Sequence, residues 1–313
     1  MACVCLTDTG GLDFAPGLAA LRDAGHDVDV LDLSFGDDIA ARAAGAEALV
    51  VSFLPVDAAT IAALPKLKVI ATTTVGVNHI DTAAAAANGV EVRALPSLAS
   101  EEVATHALAG MLALLRELPA ARAAATDGWD FTAIPLPPRV SELTLGVLGM
   151  GRIAQALVER ARPLFGKIVG FDPFTADDMW PAGVGRLADP DALFAEANVV
   201  SLHAPATPET RHVVNARTLA LMPPDGYLVN VARGDLVDTA TLLAALDAGR
   251  LRGAFLDVVD PEPPRPDDAV LRHPRIIVTP HSAFFSAATV HDYVMHTVDA
   301  VIDVLARRGE EES

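Results

Sequence analysis

Arg233, Asp257, Glu262 and His281 are residues whose types and spacing could do chemistry together. Arg233 follows the apolar run Tyr227 to Ala232 and precedes a glycine. Asp257 follows Gly253 to Leu256, Glu262 lies in the loop after it, and His281 follows Ile276 to Pro280. Taken singly, each reads as an ordinary strand-end cap or salt-bridge partner. Taken together, a permanent cation, two acids and an imidazole delivered to one edge of a sheet make a site able to hold an anion and pass a proton.

A second group could grip a phosphate. Gly149-Met150-Gly151-Arg152-Ile153-Ala154 has the form G-x-G-x-x-A. By itself that string is a tight turn. Here it follows the apolar strand Leu145 to Leu148, opens a helix at Arg152, and precedes a second strand that ends in Asp172, about 20 residues on. Glycines let backbone N–H groups and a helix N-terminus approach a pyrophosphate, and the acid accepts hydrogen bonds from ribose hydroxyls. The segment therefore reads as a dinucleotide site. Asp172 is followed by Pro173, Phe174 and Thr175, with no arginine to meet a 2′-phosphate, which favours NAD over NADP.

These groups need a frame that brings strand ends to one edge. Short apolar runs alternate with alanine-rich stretches of helical period from the start to about residue 75, and again from about residue 143. Strands alternating with helices mean parallel pairing and an α/β fold. The rhythm gives two α/β units, each with its own parallel sheet, and not one long sheet. Residues 101–118 read as one long buried or interface helix before a Pro-rich loop. Residues 286–309 read as an amphipathic helix ending in basic residues and Gly309, with a fraying tail at 309–313.

Composition narrows the partners. With 313 residues, 51% of them hydrophobic, the chain can bury two sizeable cores. A formal charge of −18 argues against nucleic acid or an anionic membrane surface as partner. The two cysteines, Cys3 and Cys5, lie in the first strand and read as small core residues in a reducing compartment. A signal-like segment and any apolar stretch of about 18 residues are lacking, so a cytoplasmic protein is expected. No cluster has metal-ligand spacing, and no metal is expected.

Gly149-MGRIA, Ser201-LHAPATPET, Asn230-VARGDLVD, Leu256-DVVDPEPP and Val278-TPHSA, in that order, resemble the D-isomer-specific 2-hydroxyacid dehydrogenase family, and Thr74-VGVNHID is similar to its substrate loop. The resemblance runs from about residue 50 onward. It implies two parallel-sheet domains, a Rossmann-like nucleotide-binding domain at 101–284 inserted into a smaller flavodoxin-like substrate domain, 1–100 with 285–313, and an active site in the cleft between them. It also implies NAD-dependent interconversion of a 2-oxo acid and a D-2-hydroxy acid. Arg233 would hold the substrate carboxylate and carbonyl, His281 would be the acid and base, and Glu262 would orient its ring. Backbone N–H groups of Val75 and Gly76 would complete the carboxylate cradle. Asp257 would hold the nicotinamide carboxamide, and His203, Pro205, Val231 and Ala232 would line the cofactor trough with Gly149, Gly151, Arg152 and Ile153.

Two departures from the family stand out. Thr105 takes a place where many relatives carry an acid, and is assigned at most a cofactor-side contact. Pro280-HSAFFS resembles the PHxAFY or PHxAWY form of D-lactate dehydrogenase-like and C-terminal-binding-protein-like members, with Phe285 lacking the hydroxyl. The latter members supply an alternative, a nucleotide-sensing interaction protein on the same fold. The intact trio of Arg233, Glu262 and His281 favours the enzyme. His106, His291 and His296 read as packing or surface histidines, and His79 stays open. The apolar surface of helix 101–118 suggests a homodimer formed through that helix and the loop after it. Phe53, Leu54, Phe284 and Phe285 suggest an apolar substrate pocket.

Overall fold

The computed structural model describes residues 1–311 and divides into two compact units, Met1–Leu98 with the segment from Phe285, and Ala99–Phe284. In the first, five parallel strands lie in the order β2-β1-β3-β4-β5. They are β1 (Cys3–Leu6), β2 (Asp27–Val30), β3 (Ala48–Val51), β4 (Val69–Thr72) and β5 (Glu91–Arg93). Parallel sheets are covered on both faces, which is why β3 and β4 are buried from end to end. Strand alternation sends Cys5, Leu49, Val51 and Ile70 into one core, and Val4, Leu6, Val50 and Val69 into another. Helix Ala287–Glu311 closes the second of these with Val294, Val298, Val301 and Val304. Each such valine contributes roughly 1.5–3 kcal/mol. Gly17 permits the approach of helix Ala15–Asp23, since a Cβ there would stand 2.7 Å from Val294. Cys3 and Cys5 are free thiols, and burial pushes the Cys5 thiol up to about 12.

The second unit holds seven parallel strands in the order β12-β11-β10-β9-β6-β7-β8. They are β6 (Thr144–Leu148), β7 (Lys167–Phe171), β8 (Gly185–Arg186), β9 (Val199–Leu202), β10 (Gly226–Asn230), β11 (Leu251–Leu256) and β12 (Ile276–Val278). Helix Ser100–Leu115 packs on helix Arg152–Ala161 and on β10 and β11. At its centre Gly110 lies against the Phe255 ring, where a Cβ would come within 2.4 Å.

The expected α/β class with two parallel sheets holds. Several details differ. The long helix stops at Leu115, turns through Glu117 at φ +53, and resumes as Leu118–Thr126 with Pro119 in its first turn. Proline disfavours the helical conformation of the residue before it and is accommodated in a first turn, and the Glu117 carboxylate is held by Arg252 at 2.7 Å. The final helix continues through Gly309 to Glu311, and the rest of the expected fraying tail lies outside the described residues. Leu54, expected in a pocket, is buried in the first unit's core. Among the described residues no helix is long and apolar enough to cross a membrane.

Candidate active site

The carboxyl ends of β10, β11 and β12 are laced together. The Asp257 N–H donates to Asn230 O at 2.9 Å, and the His281 N–H donates to Asp257 O at 2.8 Å. Arg233 is presented by a turn that Asn230 clamps from inside the sheet. Its buried side chain accepts from the Ala232 N–H at 3.0 Å and donates to Arg233 O at 2.8 Å. The glycine after Arg233 has a steric reason, because a Cβ on Gly234 would stand 2.1 Å from the Val259 backbone. The turn thus presses onto the segment leading to Glu262, and the Arg233 guanidinium is left exposed, donating to Ala232 O at 2.6 Å.

His281 sits at φ +50 with its Nδ1 2.5 Å from Glu262 Oε1. That hydrogen bond raises the imidazole pKa, burial opposes it, the charges of Glu262 and Asp257 add to the rise, and Arg233 lowers it. Glu262 and Arg233 thus both act on the charge of His281, with opposite sign. Nε2 of His281 has no partner among the described residues.

Asp257 is engaged on both oxygens. Its carboxylate, 2% exposed, takes the Thr279 hydroxyl at 2.5 Å, the Ser282 N–H at 2.9 Å and the Ala283 N–H at 3.0 Å, with His106 Nε2 at 3.4 Å. Burial pushes this carboxyl up, and the hydrogen bonds, His106 foremost, outweigh burial and hold it below its ordinary value. His106 also lies 3.0 Å from Thr279 Oγ1, so reading it as mere packing is corrected. Thr105, one position before it, is exposed. His291 and His296 remain on the surface.

The glycine turn fits a dinucleotide. Gly149, at φ +87, lies so close to the next strand's end that a Cβ would stand 2.7 Å from Ala204 N. At Gly151 a Cβ would meet nothing, and helix Arg152–Ala161 has no side-chain cap and no acid in its first turn. Backbone donors are thus left with room for an anion. Arg152 is exposed, and Ile153 is half-buried. Asp172 accepts from Met150 N at 2.7 Å, Phe174 N at 2.8 Å and Thr175 N at 3.2 Å. Burial raises its pKa, and those backbone donors with the Thr175 hydroxyl bring it below the usual carboxylate value. Beside it lies a cavity of about 390 Å3 lined by Phe171, Asp172, Pro173, Arg186, Leu187 and Ala188. Arg186 was not visible from the residues following Asp172. It donates to Asp172 O at 3.1 Å and Thr175 O at 2.7 Å while stacking over Trp180. After β9, His203 bonds Ser201 at 2.8 Å, and burial lowers its imidazole to about 4, so it is neutral. Pro205 O accepts from Thr210. Val231 is buried and Ala232 half-buried in the turn before Arg233.

Val75 and Gly76 belong to the first unit. Both are exposed, and neither amide N–H is taken by an acceptor among the described residues. A chain of side chains shapes their loop, with Thr72 Oγ1 2.9 Å from Thr74 Oγ1 and 3.2 Å from His79 Nε2, and Thr74 donating to Gly76 O at 2.6 Å. Burial lowers the His79 pKa. Among the described residues no group of three or more His, Cys, Asp or Glu could hold a metal ion.

Comparison with known proteins gives a consistent picture. The family model for the D-isomer specific 2-hydroxyacid dehydrogenase NAD binding domain matches residues 108–283. The chain is 34% identical over 275 residues to a glycerate dehydrogenase of Methylorubrum extorquens, covering 85% of this chain and 84% of that one. It is 40% identical over 221 residues to a D-3-phosphoglycerate dehydrogenase of Methanocaldococcus jannaschii, where the match covers 69% of this chain and only 41% of the relative's length. A crystal structure of a Thermus thermophilus protein superposes with a TM-score of 0.87 at 35% identity, covering 97% of each chain.

Proposed function

Because the chain belongs to the D-isomer-specific 2-hydroxyacid dehydrogenase family, we propose that it interconverts a 2-oxo acid and a D-2-hydroxy acid with NAD(H), using His281 as acid and base. The contact between His281 Nδ1 and Glu262 carries this reading, because it favours the imidazolium and leaves Nε2 open. Bound NADH would supply the hydride. Arg233 holds the substrate through its carboxylate and carbonyl oxygen, where a fork of donors fixes orientation as well as charge. The free amides of Val75 and Gly76 are further carboxylate donors. In reduction, protonated His281 gives its Nε2 proton to the carbonyl oxygen. In oxidation the neutral ring takes it back. Gly149, Gly151, Arg152 and Ile153 meet the pyrophosphate, Asp172 the ribose, and His203, Pro205, Val231 and Ala232 the rest of the cofactor. For Asp257 the nicotinamide carboxamide has to share a carboxylate already bound on both oxygens.

Steady-state oxidation of NADH with a panel of 2-oxo acids tests the reading, and failure of every acid beside intact NADH binding would overturn it. NADPH should be at least tenfold less efficient, about 1.4 kcal/mol, because the ionised Asp172 repels a 2′-phosphate. Equal kcat/KM for the two cofactors would refute that preference. The free thiols accord with a cytoplasmic location. A homodimer is also part of the proposal, carried by the segment after the long helix and not by the helix itself. Val103, Ala107, Met111 and Leu115 are buried within their own unit, whereas Leu118, Trp129, Phe131 and Leu136 are exposed. Sedimentation as a monomer at micromolar concentration would remove it.

A further inference from the structure

His281 holds a left-handed backbone conformation that non-glycine residues rarely adopt, φ +50. It does so because Asp257 grips the segment on both sides. The Asp257 carbonyl accepts the His281 N–H at 2.8 Å, and its carboxylate accepts Ser282 N–H, Ala283 N–H and the Thr279 hydroxyl. What holds Asp257 and Thr279 in turn is His106, on helix Ser100–Leu115. Thr279 has one hydroxyl proton, and at 2.5 Å it goes to the carboxylate. Its oxygen must then accept from His106, which fixes the proton on Nε2. The ring is located by Phe255, 5.3 Å away between centroids and tilted by 58°, while Phe255 lies against Gly110 of the same helix.

We propose that His106 is a positioning residue for the reaction. It donates from Nε2 to Thr279 and toward Asp257, and so keeps the loop that presents His281 in its working geometry. This rests on the reading of His281 as acid and base. An amide donor at the same reach can stand in for the imidazole, and an aromatic ring without a donor cannot.

Three variants, His106→Phe, His106→Gln and His281→Gln, test this by kcat, NADH affinity from fluorescence titration, and amide hydrogen exchange across residues 279–284. In His106→Phe we expect kcat for 2-oxo acid reduction to fall at least tenfold with NADH affinity within twofold, and exchange at Ser282 and Ala283 to quicken. His106→Gln should return kcat to within about threefold and restore slow exchange. Unchanged kcat and exchange in His106→Phe overturn the proposal, as does a Gln variant no better than Phe. His281→Gln separates the two readings. If it is inactive while His106→Phe is unaffected, the positioning role alone fails. If it keeps its activity, the acid and base reading fails and takes the proposal with it.

Discussion

At the carboxyl ends of β10, β11 and β12, the residues of the candidate site are tied to neighbouring groups. Asn230 clamps the turn of Arg233, Asp257 is bound on both oxygens, and Glu262 grips His281. At the carboxyl ends of β3 and β4, in the other unit, the exposed positions include Phe53, Val75 and Gly76, which offer apolar surface and bare amides. Their loops are braced from beneath by Asp8, whose carboxylate takes the N–H groups of Ser52 and Phe53, and by Thr72, Thr74 and His79. Both are edges of parallel sheets, where ligands bind in such folds. The difference lies in what is pre-organised. The second unit fixes charges and protons, so changes there should act on rate. The first fixes backbone and leaves side chains free, so changes there should act on which substrate is chosen.

The largest effect should come from Arg233→Lys. Lysine keeps the charge and loses the planar fork, so kcat/KM should fall about a hundredfold or more, roughly 2.7 kcal/mol of transition-state stabilisation. NADH affinity should change little. A lysine variant within threefold of the parent would break the comparison, because the second unit would then be supplying charge without geometry.

Glu262→Gln should have an intermediate effect and a definite sign. Glu262 raises the His281 pKa, so the imidazolium that the proposed reduction uses persists above its ordinary value near 6.5 and is lost as pH climbs through the raised one. Removing the carboxylate should move that decline to lower pH. The contribution of the pair to stability has the same sign, being fully present below the unfolded value and lost as pH rises through the folded one. The ring is 47% exposed, so solvent screens it and the effect on stability should be slight. A pH–rate profile of kcat/KM for the variant decides the matter, and a decline that stays in place would remove Glu262 from its role.

Much of this frame could be read from the sequence because its signals are local. Runs such as Leu145 to Leu148 and Tyr227 to Asn230 are strands by composition, and the glycines at 149 and 151 and the acid at 172 follow at fixed offsets, whereas the expected strand over Val231 and Ala232 is a turn. β5 and β8 were not legible. Glu91–Arg93 and Gly185–Arg186 are short, polar strands at sheet edges, set by pairing with β4 and β7 and not by apolar pattern. His106 was illegible for another reason, since its partner Thr279 lies 173 residues away and a histidine among alanines and leucines looks like packing. Two local signals in the sequence do point to further features of the structure. Asn230 is an amide inside an apolar run, and a buried amide needs partners. Pro119 marks the break in the long helix.

The smallest effects should come from the first unit, and they concern identity of substrate more than speed. Phe53, Val75 and Phe285 are 53%, 51% and 66% exposed, an expenditure of apolar surface that a bound alkyl or aryl group would recover at about 25 cal/mol per Å2. A phosphate would need cations there. Arg93, at the carboxyl end of β5, is instead committed to Glu91 at 2.6 Å and Asp303 at 3.7 Å. We therefore expect kcat/KM to rank phenylpyruvate, 2-oxo-4-methylpentanoate or pyruvate above 3-phosphohydroxypyruvate. Phe53→Ala should cost the bulkier acids several-fold, mainly through KM, because it removes contact made equally in the ground and transition states. Its pH–rate profile should keep the parent's shape, since no proton-handling group has moved. If 3-phosphohydroxypyruvate proves the best substrate, the apolar assignment fails. If Phe53→Ala instead lowers kcat for every acid alike, the division between a unit that sets rate and a unit that sets choice fails with it.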